Sequence, residues 1–338
     1  MSYKERKKIY RDLEKIRETK VLVYVTGDRK GMETQISPEI IDILVDHLDK
    51  IGVTQKISLI LHTNGGSTSA AWRAVNLIRT FCDELEVIIP HKALSAGTLI
   101  SIGAERIVMT KQAVLGPIDP SLTHALSPTV AGPAGPVRVP VSVEEVNGYL
   151  DGVKGLLDPA NGKSDDIAKC LIGVMTSLAQ QVNPLVLGQI FRSRKQIRFL
   201  AEKLLPNQIG DKQKINDIID FLTSDSGSHD YTINRREALS LGLNVEKPSD
   251  KLYQMLRSIH DNYRDELKLL KPFDLHALSS PQAPVDYNEP RVLIESVAGG
   301  SDQYVTEGTL TRISLNGPGM APQEVVQDER RFDGWRKA

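Results

Sequence analysis

Short apolar runs alternate with amphipathic helical segments over the first third of the chain. The runs at 21–27, 56–63, 85–90 and 104–110 are mainly apolar and do not alternate with polar residues along their centres, which is typical of strands buried on both faces. The alternation predicts an α/β fold, in which helices cover both faces of a mainly parallel sheet. In such sheets, ligand sites form beyond the carboxyl ends of the strands.

The remaining pattern divides the chain into four segments. A charged amphipathic helix is expected at 1–19, the α/β domain at 20–248 and a second amphipathic helix at 249–271. The extension at 272–338 has a weaker pattern. It allows a hairpin over 291–315, and its end is expected to be a flexible tail.

The middle of the chain differs in composition from the segments around it. Residues 126–140 are rich in Pro and Gly and predict a loop or an extended arm. Two helical stretches follow, at about 142–157 and 164–205. Residues 228–243 then predict a turn and a short helix.

Composition and charge narrow the class of protein. The 338 residues carry a formal net charge of −1, which provides no field for nucleic acid or an anionic membrane. Cys82 and Cys170 are too few for a disulfide framework, and their apolar surroundings predict burial. The N-terminus is too charged for a signal peptide, and no stretch reaches the roughly 18 apolar residues of a membrane span. The expected compartment is the cytoplasm.

Two turns with small residues follow neighbouring strands. The sequence Asn-Gly-Gly occupies 64–66, and Ser95 opens a helix after the third apolar run. Because both lie past strand ends, we expect them to meet. A serine hydroxyl beside the amides of Gly65 and Ala96 would combine a nucleophile with an oxyanion hole. The alternative is a purely structural role, in which the small residues allow close packing and Ser95 is an ordinary helix cap.

Two longer stretches resemble a known family. They read LHTNGGSTSAAWRAVNLIR and VIIPHKALSAGTLISIGAERIVMTKQAVLGPIDPSL, and they resemble the serine dehydrogenase proteinase family. That family is related to signal peptide peptidase A and to the proteolytic subunit of the Clp protease. The resemblance covers roughly 20–245 and implies the ClpP/crotonase fold, a β-β-α superhelix.

The resemblance implies a serine-type peptidase. Ser95 would be the nucleophile, with Gly65 and Ala96 as oxyanion donors. A peptide or protein substrate would bind extended beside the glycine turn, where Gly66 and Asp119 are the expected contacts. Relatives of the family form rings or stacks, so a homo-oligomer is expected.

The general base is less clearly marked. In the related Clp subunit, a histidine follows the catalytic serine by about 25 residues. The corresponding position here is 118–120, which contains no histidine, and His124 follows shortly afterwards. His124 is the preferred base, and Asp230 matches the family's catalytic acid. Five other candidates stay open: Lys92, Lys154, Lys195, Asp119 and His229.

Other functions are weighed against the peptidase. An oligomeric scaffold or binding module would keep the fold without a working base, and a crotonase-like enzyme would act on acyl-CoA. His62 and His91 end strands beside the two turns, but a catalytic zinc site usually needs three protein ligands. They are therefore expected to be hydrogen-bonded packing groups. No metal or cofactor is expected. A nicotinamide site in particular is not indicated, since no G-x-G-x-x-G follows a strand.

Overall fold

The computed structural model describes residues 2–118, 121–122, 124–132, 135–156, 164–225, 231–315 and 323–338. Within these ranges the strands are β1 (Lys20–Thr26), β2 (Thr54–His62), β3 (Cys82–Ile89), β4 (Lys92–Ala93), β5 (Arg106–Met109), β6 (Val114–Leu115), β7 (Ser121–Leu122), β8 (Thr129–Gly132), β9 (Gly135–Arg138), β10 (Val141–Ser142), β11 (Ile233–Asn234), β12 (Val245–Glu246), β13 (Val285–Ser296), β14 (Gly300–Leu315) and β15 (Gln323–Lys337).

The helices of the described ranges follow in the same order. They are α1 (Tyr3–Arg17), α2 (Ile40–Ile51), α3 (Thr68–Arg79), α4 (Ala96–Ile102), α5 (Val143–Leu156), α6 (Ser164–Gln181), α7 (Pro184–Leu204), α8 (Lys212–Asp220), α9 (Arg235–Ser240), α10 (Asp250–Glu266) and α11 (Leu275–Leu278). The chain divides into two units. The first unit contains Met1–Leu115, Asn207–Gly210 and Thr232–Ala338, and the second contains Gly116–Pro206 and Asp211–Tyr231.

An eight-stranded sheet forms the centre of the first unit. Its order is β12-β5-β3-β2-β1-β13-β14-β15. The five strands from β12 to β1 are parallel, while β13, β14 and β15 extend the sheet antiparallel to their neighbours. The predicted α/β class with a parallel core is therefore confirmed.

Burial on both faces explains the continuous apolar runs. All residues of β1 after Lys20 are buried. On one face, Val21, Val23 and Val25 join a core cluster with apolar residues of α1 and α10. Full burial of each aliphatic side chain is worth roughly 1.5–3 kcal/mol.

Ion pairs attach α1 to the sheet. Arg6 is 0% exposed, and its guanidinium donates to both carboxylate oxygens of Glu295 in β13, at 2.9 and 2.5 Å. The same guanidinium also contacts Asn262 and Glu266. Tyr10 adds a hydroxyl bond of 2.7 Å to Glu295. Some polar side chains of α1 are thus buried and bind the helix to the sheet, while its other charged side chains face solvent.

The C-terminal segment differs from the expectation of a flexible tail. The region at 291–315 lies within β13 and β14, and residues 323–337 pair with β14 as β15. Most side chains of β15 are exposed. Backbone hydrogen bonds to β14 hold this strand, and such bonds require no apolar pattern in the sequence. The division of the chain at 20–248 and 249–271 stays a prediction.

The second unit is mainly helical. The segment predicted as an arm contains an antiparallel hairpin of β8 and β9. The helical stretch predicted over 164–205 is broken, because Asn183 caps α7 and Pro184 takes its first position. Cys170 on α6 is exposed and Cys82 is only partly buried at the start of β3, so their predicted full burial is wrong.

The described helices were compared with the requirements of a membrane span. None is by itself both long and apolar enough to cross a membrane, whereas the bent pair Ala168–Gln181 and Pro184–Asn207, with an angle of 103°, meets the length and composition requirement jointly.

Candidate active site

Ser95 occupies a strained turn between β4 and α4. Its backbone has φ 51° and ψ −114°, and Gly97 N donates to Leu94 O at 2.8 Å. This is a type II′ turn, whose first central position favours glycine. Serine there carries backbone strain of a kind that clusters at functional sites. Ser95 is partly exposed, and its hydroxyl has no hydrogen-bond partner among the described residues.

The glycine turn lies directly against Ser95, as predicted. A Cβ built on Gly65 would lie 2.8 Å from Ser95 Cβ and 3.2 Å from Ala96 N, so no larger residue fits at 65. Backbone bonds fix this contact: Thr63 N donates to Lys92 O at 3.1 Å, and Leu94 N donates to Thr63 O at 3.0 Å. The ends of two neighbouring strands therefore hold the two turns together.

The amides of the glycine turn point to different partners. Gly65 N donates to Thr63 Oγ1 at 3.0 Å, so the donor predicted for the oxyanion already has an acceptor. On one edge, Ile36 N donates to Gly65 O and Ser67 N donates to Ile36 O, both at 2.8 Å. The intervening amide, that of Gly66, takes no part in this pairing with Ile36.

Two amides beside Ser95 are left without a protein acceptor. Within the described part of the chain, the N–H groups of Gly66 and Ala96 donate to no residue. The sequence predicts Gly65 and Ala96 as oxyanion donors and Gly66 as a substrate contact, and these roles stay predictions. A glycine pair in the sequence does not show which of its amides already has an acceptor.

The structure places the candidate bases differently from one another. His124 lies in the second unit, and Leu126 N donates to its Nδ1 at 3.1 Å, so the neutral ring carries its proton on Nε2. The Lys92 side chain forms an ion pair with Asp28. Lys195 is exposed on α7. Four candidates lie outside the described residues: Asp119, His229, Asp230 and the side chain of Lys154.

His62 and His91 are joined by a third histidine that sequence reasoning missed. The ring of His91 stacks on His260 of α10 with centroids 5.1 Å apart, and the centroids of His62 and His91 are 5.7 Å apart. His62 is 1% exposed, and its Nε2 lies 3.5 Å from Asp28 Oδ1. Among the described residues, neither of its ring nitrogens has a well-formed hydrogen bond, so the expected hydrogen-bonded packing is not seen there.

Burial controls the charge of this cluster. It lowers the pKa of His62 and of His91, and it lowers the pKa of His260 to about 4. Burial opposes ionisation of the nearby Asp28, but the neighbouring His62 and Lys92 side chains outweigh it and hold the pKa of Asp28 below its usual value. The histidines are therefore neutral at pH 7, next to one ionised carboxylate.

Comparisons with known proteins cover part of the chain. Two uncharacterized proteins of Methanocaldococcus jannaschii are each 30% identical to it: one over 190 residues, 56% of this chain and 53% of its own length, and one over 203 residues, 59% and 56%. The chain thus spans about half the length of the curated relatives it matches.

Solved structures and a family model complete the comparison. A mutant of the 1510-N membrane-bound stomatin-specific protease is 17% identical, covering 65% of this chain and 79% of that one, with a TM-score of 0.34. ClpP1 from Listeria monocytogenes is 14% identical, covering 71% and 98%, with a TM-score of 0.36. The family model described as ClpP-like SDH-type serine proteinase matches residues 1–132. The predicted resemblance is therefore confirmed over the part of the chain that carries both turns, since residues 1–132 match the model of that family.

Proposed function

We propose that this protein is a serine-type peptidase and that Ser95 is its nucleophile. The observation that carries the proposal is the position of Ser95 on a strained II′ turn, packed against the glycine turn. The residue is partly exposed and its hydroxyl has no partner among the described residues, so it can meet a substrate carbonyl. The family match over 1–132 supports peptidase chemistry.

The oxyanion hole is formed by the amides of Gly66 and Ala96. When Ser95 Oγ attacks the peptide carbonyl, the carbonyl oxygen becomes an anion that accepts hydrogen bonds from these two N–H groups. Collapse of the intermediate releases the amine and leaves an acyl-enzyme, which water then hydrolyses. Each donor of this kind is worth roughly 2.7–4 kcal/mol of transition-state stabilisation.

The substrate binds as an extended strand on the edge of the glycine turn opposite Ile36. Ile36 occupies the other edge through Gly65 O and Ser67 N, which leaves the Gly66 backbone free to pair with a peptide. Addition of a strand in this way gives affinity through main-chain hydrogen bonds. Asp119 stays a predicted contact of the same substrate.

The proposed base is His124, oriented by Asp230. To accept the Ser95 proton at Nε2, His124 must carry its own proton on Nδ1. It must therefore exchange the Leu126 amide for an acceptor, and Asp230 is the predicted one. Lys92 is the less suitable alternative because it is paired with Asp28.

The active form is proposed to be a homo-oligomer. Helices α6 and α7 of the second unit leave large apolar side chains in solvent: Ile172 is 66% exposed, Leu185 70% and Phe199 54%. Exposed apolar groups on neighbouring helices are typical of surfaces that another chain covers. The activity should therefore be assayed in a sample whose mass exceeds 37.4 kDa by sedimentation.

Labelling with a fluorophosphonate probe tests the nucleophile. We expect the probe to label the wild-type protein and the control Ser69→Ala, whose serine is exposed on α3, but not Ser95→Ala. Cleavage of a quenched peptide library should follow the same pattern and should fall in His124→Gln. Absence of labelling in a folded, assembled sample would favour the scaffold instead. Thioester hydrolysis that survives Ser95→Ala would favour crotonase-like chemistry.

A further inference from the structure

Three histidines from separate parts of the first unit meet at one point. His62 ends β2, His91 follows β3, and His260 lies in α10. One ring nitrogen from each lies within 4.8 Å of the nitrogens of the other two. We propose that His62, His91 and His260 bind a zinc ion.

Unpaired buried nitrogens carry the proposal. Among the described residues, both ring nitrogens of His62 and Nδ1 of His91 are buried without a well-formed hydrogen bond, although Asp28 Oδ1 lies 3.5 Å from His62 Nε2. Polar atoms in protein interiors are nearly always paired, so an unpaired cluster of this kind needs a ligand. A metal ion accepts lone pairs from several imidazoles at once, which no single protein group in the cluster does.

The chemistry of the cluster suits zinc. Neutral imidazole is the form of histidine that binds metal, and His62, His91 and His260 each bring one ring nitrogen to the same point. Tetrahedral zinc at its usual Zn–N distance separates two nitrogens by about 3.3 Å, so small ring rotations close the observed spacing. Three histidines without a thiolate are one of the common donor sets for zinc that keeps an open position.

Carboxylates stand beside two of the rings. Asp261 Oδ1 is 3.4 Å from His260 Nδ1, and Asp28 Oδ1 is 3.5 Å from His62 Nε2. Carboxylates next to metal-bound histidines orient the rings and raise their basicity. Asp28 could serve in that role or complete the coordination.

A cavity of about 320 Å³ borders all three histidines. Arg257 and Arg264 line it as well. Three protein ligands leave a fourth zinc position, which takes water or an anionic group such as a carboxylate. The two guanidinium groups favour the anionic ligand.

Metal content and spectroscopy test the proposal on the full chain. After treatment with a chelator, titration with Zn²⁺ alone should give one ion per chain, and the melting temperature should rise with Zn²⁺ concentration. Co²⁺ in its place should give the strong visible absorption of a tetrahedral site. His91→Gln and His260→Gln should each weaken Zn²⁺ binding by roughly tenfold or more.

Two controls separate this result from other causes. His47→Gln replaces another buried histidine, whose nitrogens already contact Ser296 and Asp302, and it should bind zinc as the wild type does. Ser95→Ala should also bind normally, so the result is independent of the proposed peptidase. Zinc binding that persists in a His91→Gln/His260→Gln double variant would overturn the site. If the variants fail to fold, a wild-type Co²⁺ complex without tetrahedral absorption overturns it equally.

Discussion

Replacement of Ser95 by glycine should make the protein more stable while removing the proposed nucleophile. Ser95 has φ 51° and ψ −114°, a conformation that costs a residue with a Cβ on the order of 1–3 kcal/mol. Glycine adopts it freely but loses about 0.5–1 kcal/mol through the greater entropy of the unfolded chain. The net expectation for Ser95→Gly is a gain of roughly 1 kcal/mol or somewhat more.

Ser95→Ala is the matched comparison. It keeps the Cβ and the strain, and it removes a hydroxyl that has no partner among the described residues, so we expect it to change stability little. Ser69→Gly, on the exposed face of α3, makes the same chemical change in a helix. It should lose roughly 0.5–1 kcal/mol, which gives the opposite sign.

Urea unfolding followed by tryptophan fluorescence measures these differences. Both tryptophans, Trp72 and Trp335, belong to the first unit, which also contains Ser95. A gain of 1 kcal/mol corresponds to a melting temperature about 2–4 °C higher for a domain of this size. If Ser95→Gly is no more stable than Ser95→Ala, the turn stores no strain and the reasoning from backbone to nucleophile is refuted.

Two further predictions concern buried charge. Arg6→Met leaves Glu295 buried without its cation, so it should cost about 3–5 kcal/mol in urea unfolding, and a loss below about 1 kcal/mol would contradict the buried pair. Burial lowers the pKa of His47, so below pH 6.5 the unfolded chain binds a proton that the folded chain excludes. The contribution of His47 to stability should therefore fall on acidification, by at most about 1.4 kcal/mol per pH unit, until its lowered pKa is reached. His47→Gln should flatten this slope and the exposed control His276→Gln should not; equal slopes would show that His47 is not excluded from protonation.

The parallel core could be predicted from the sequence because its strands are buried on both faces. β1 reads KVLVYVT, and such runs are legible without any knowledge of their neighbours. β15 could not be found in this way, since its order comes from backbone pairing with β14 while its side chains face solvent. The break before α7 was marked by Asn183-Pro184, a cap followed by proline.

The site divides in the same way. The meeting of Ser95 and Gly65 follows from topology, since turns after neighbouring parallel strands share one edge of a sheet. The choice between Gly65 and Gly66 as donor depends on one bond to Thr63, which no pattern of residues reveals. His260 lies in α10, far from His62 in the chain, and its helical pattern shows only which face is buried.

The antiparallel extension has a consequence for synthesis on the ribosome. β1 has β2 on one side and β13 on the other, and β13 begins at Val285, long after β1 ends at Thr26. Until β13 emerges, β1 is an edge strand whose backbone amides and carbonyls are unpaired on one side. Such an edge can pair with a strand of another nascent chain and cause aggregation. Completion of the sheet must therefore await β13, which covers the edge of a strand synthesised long before it.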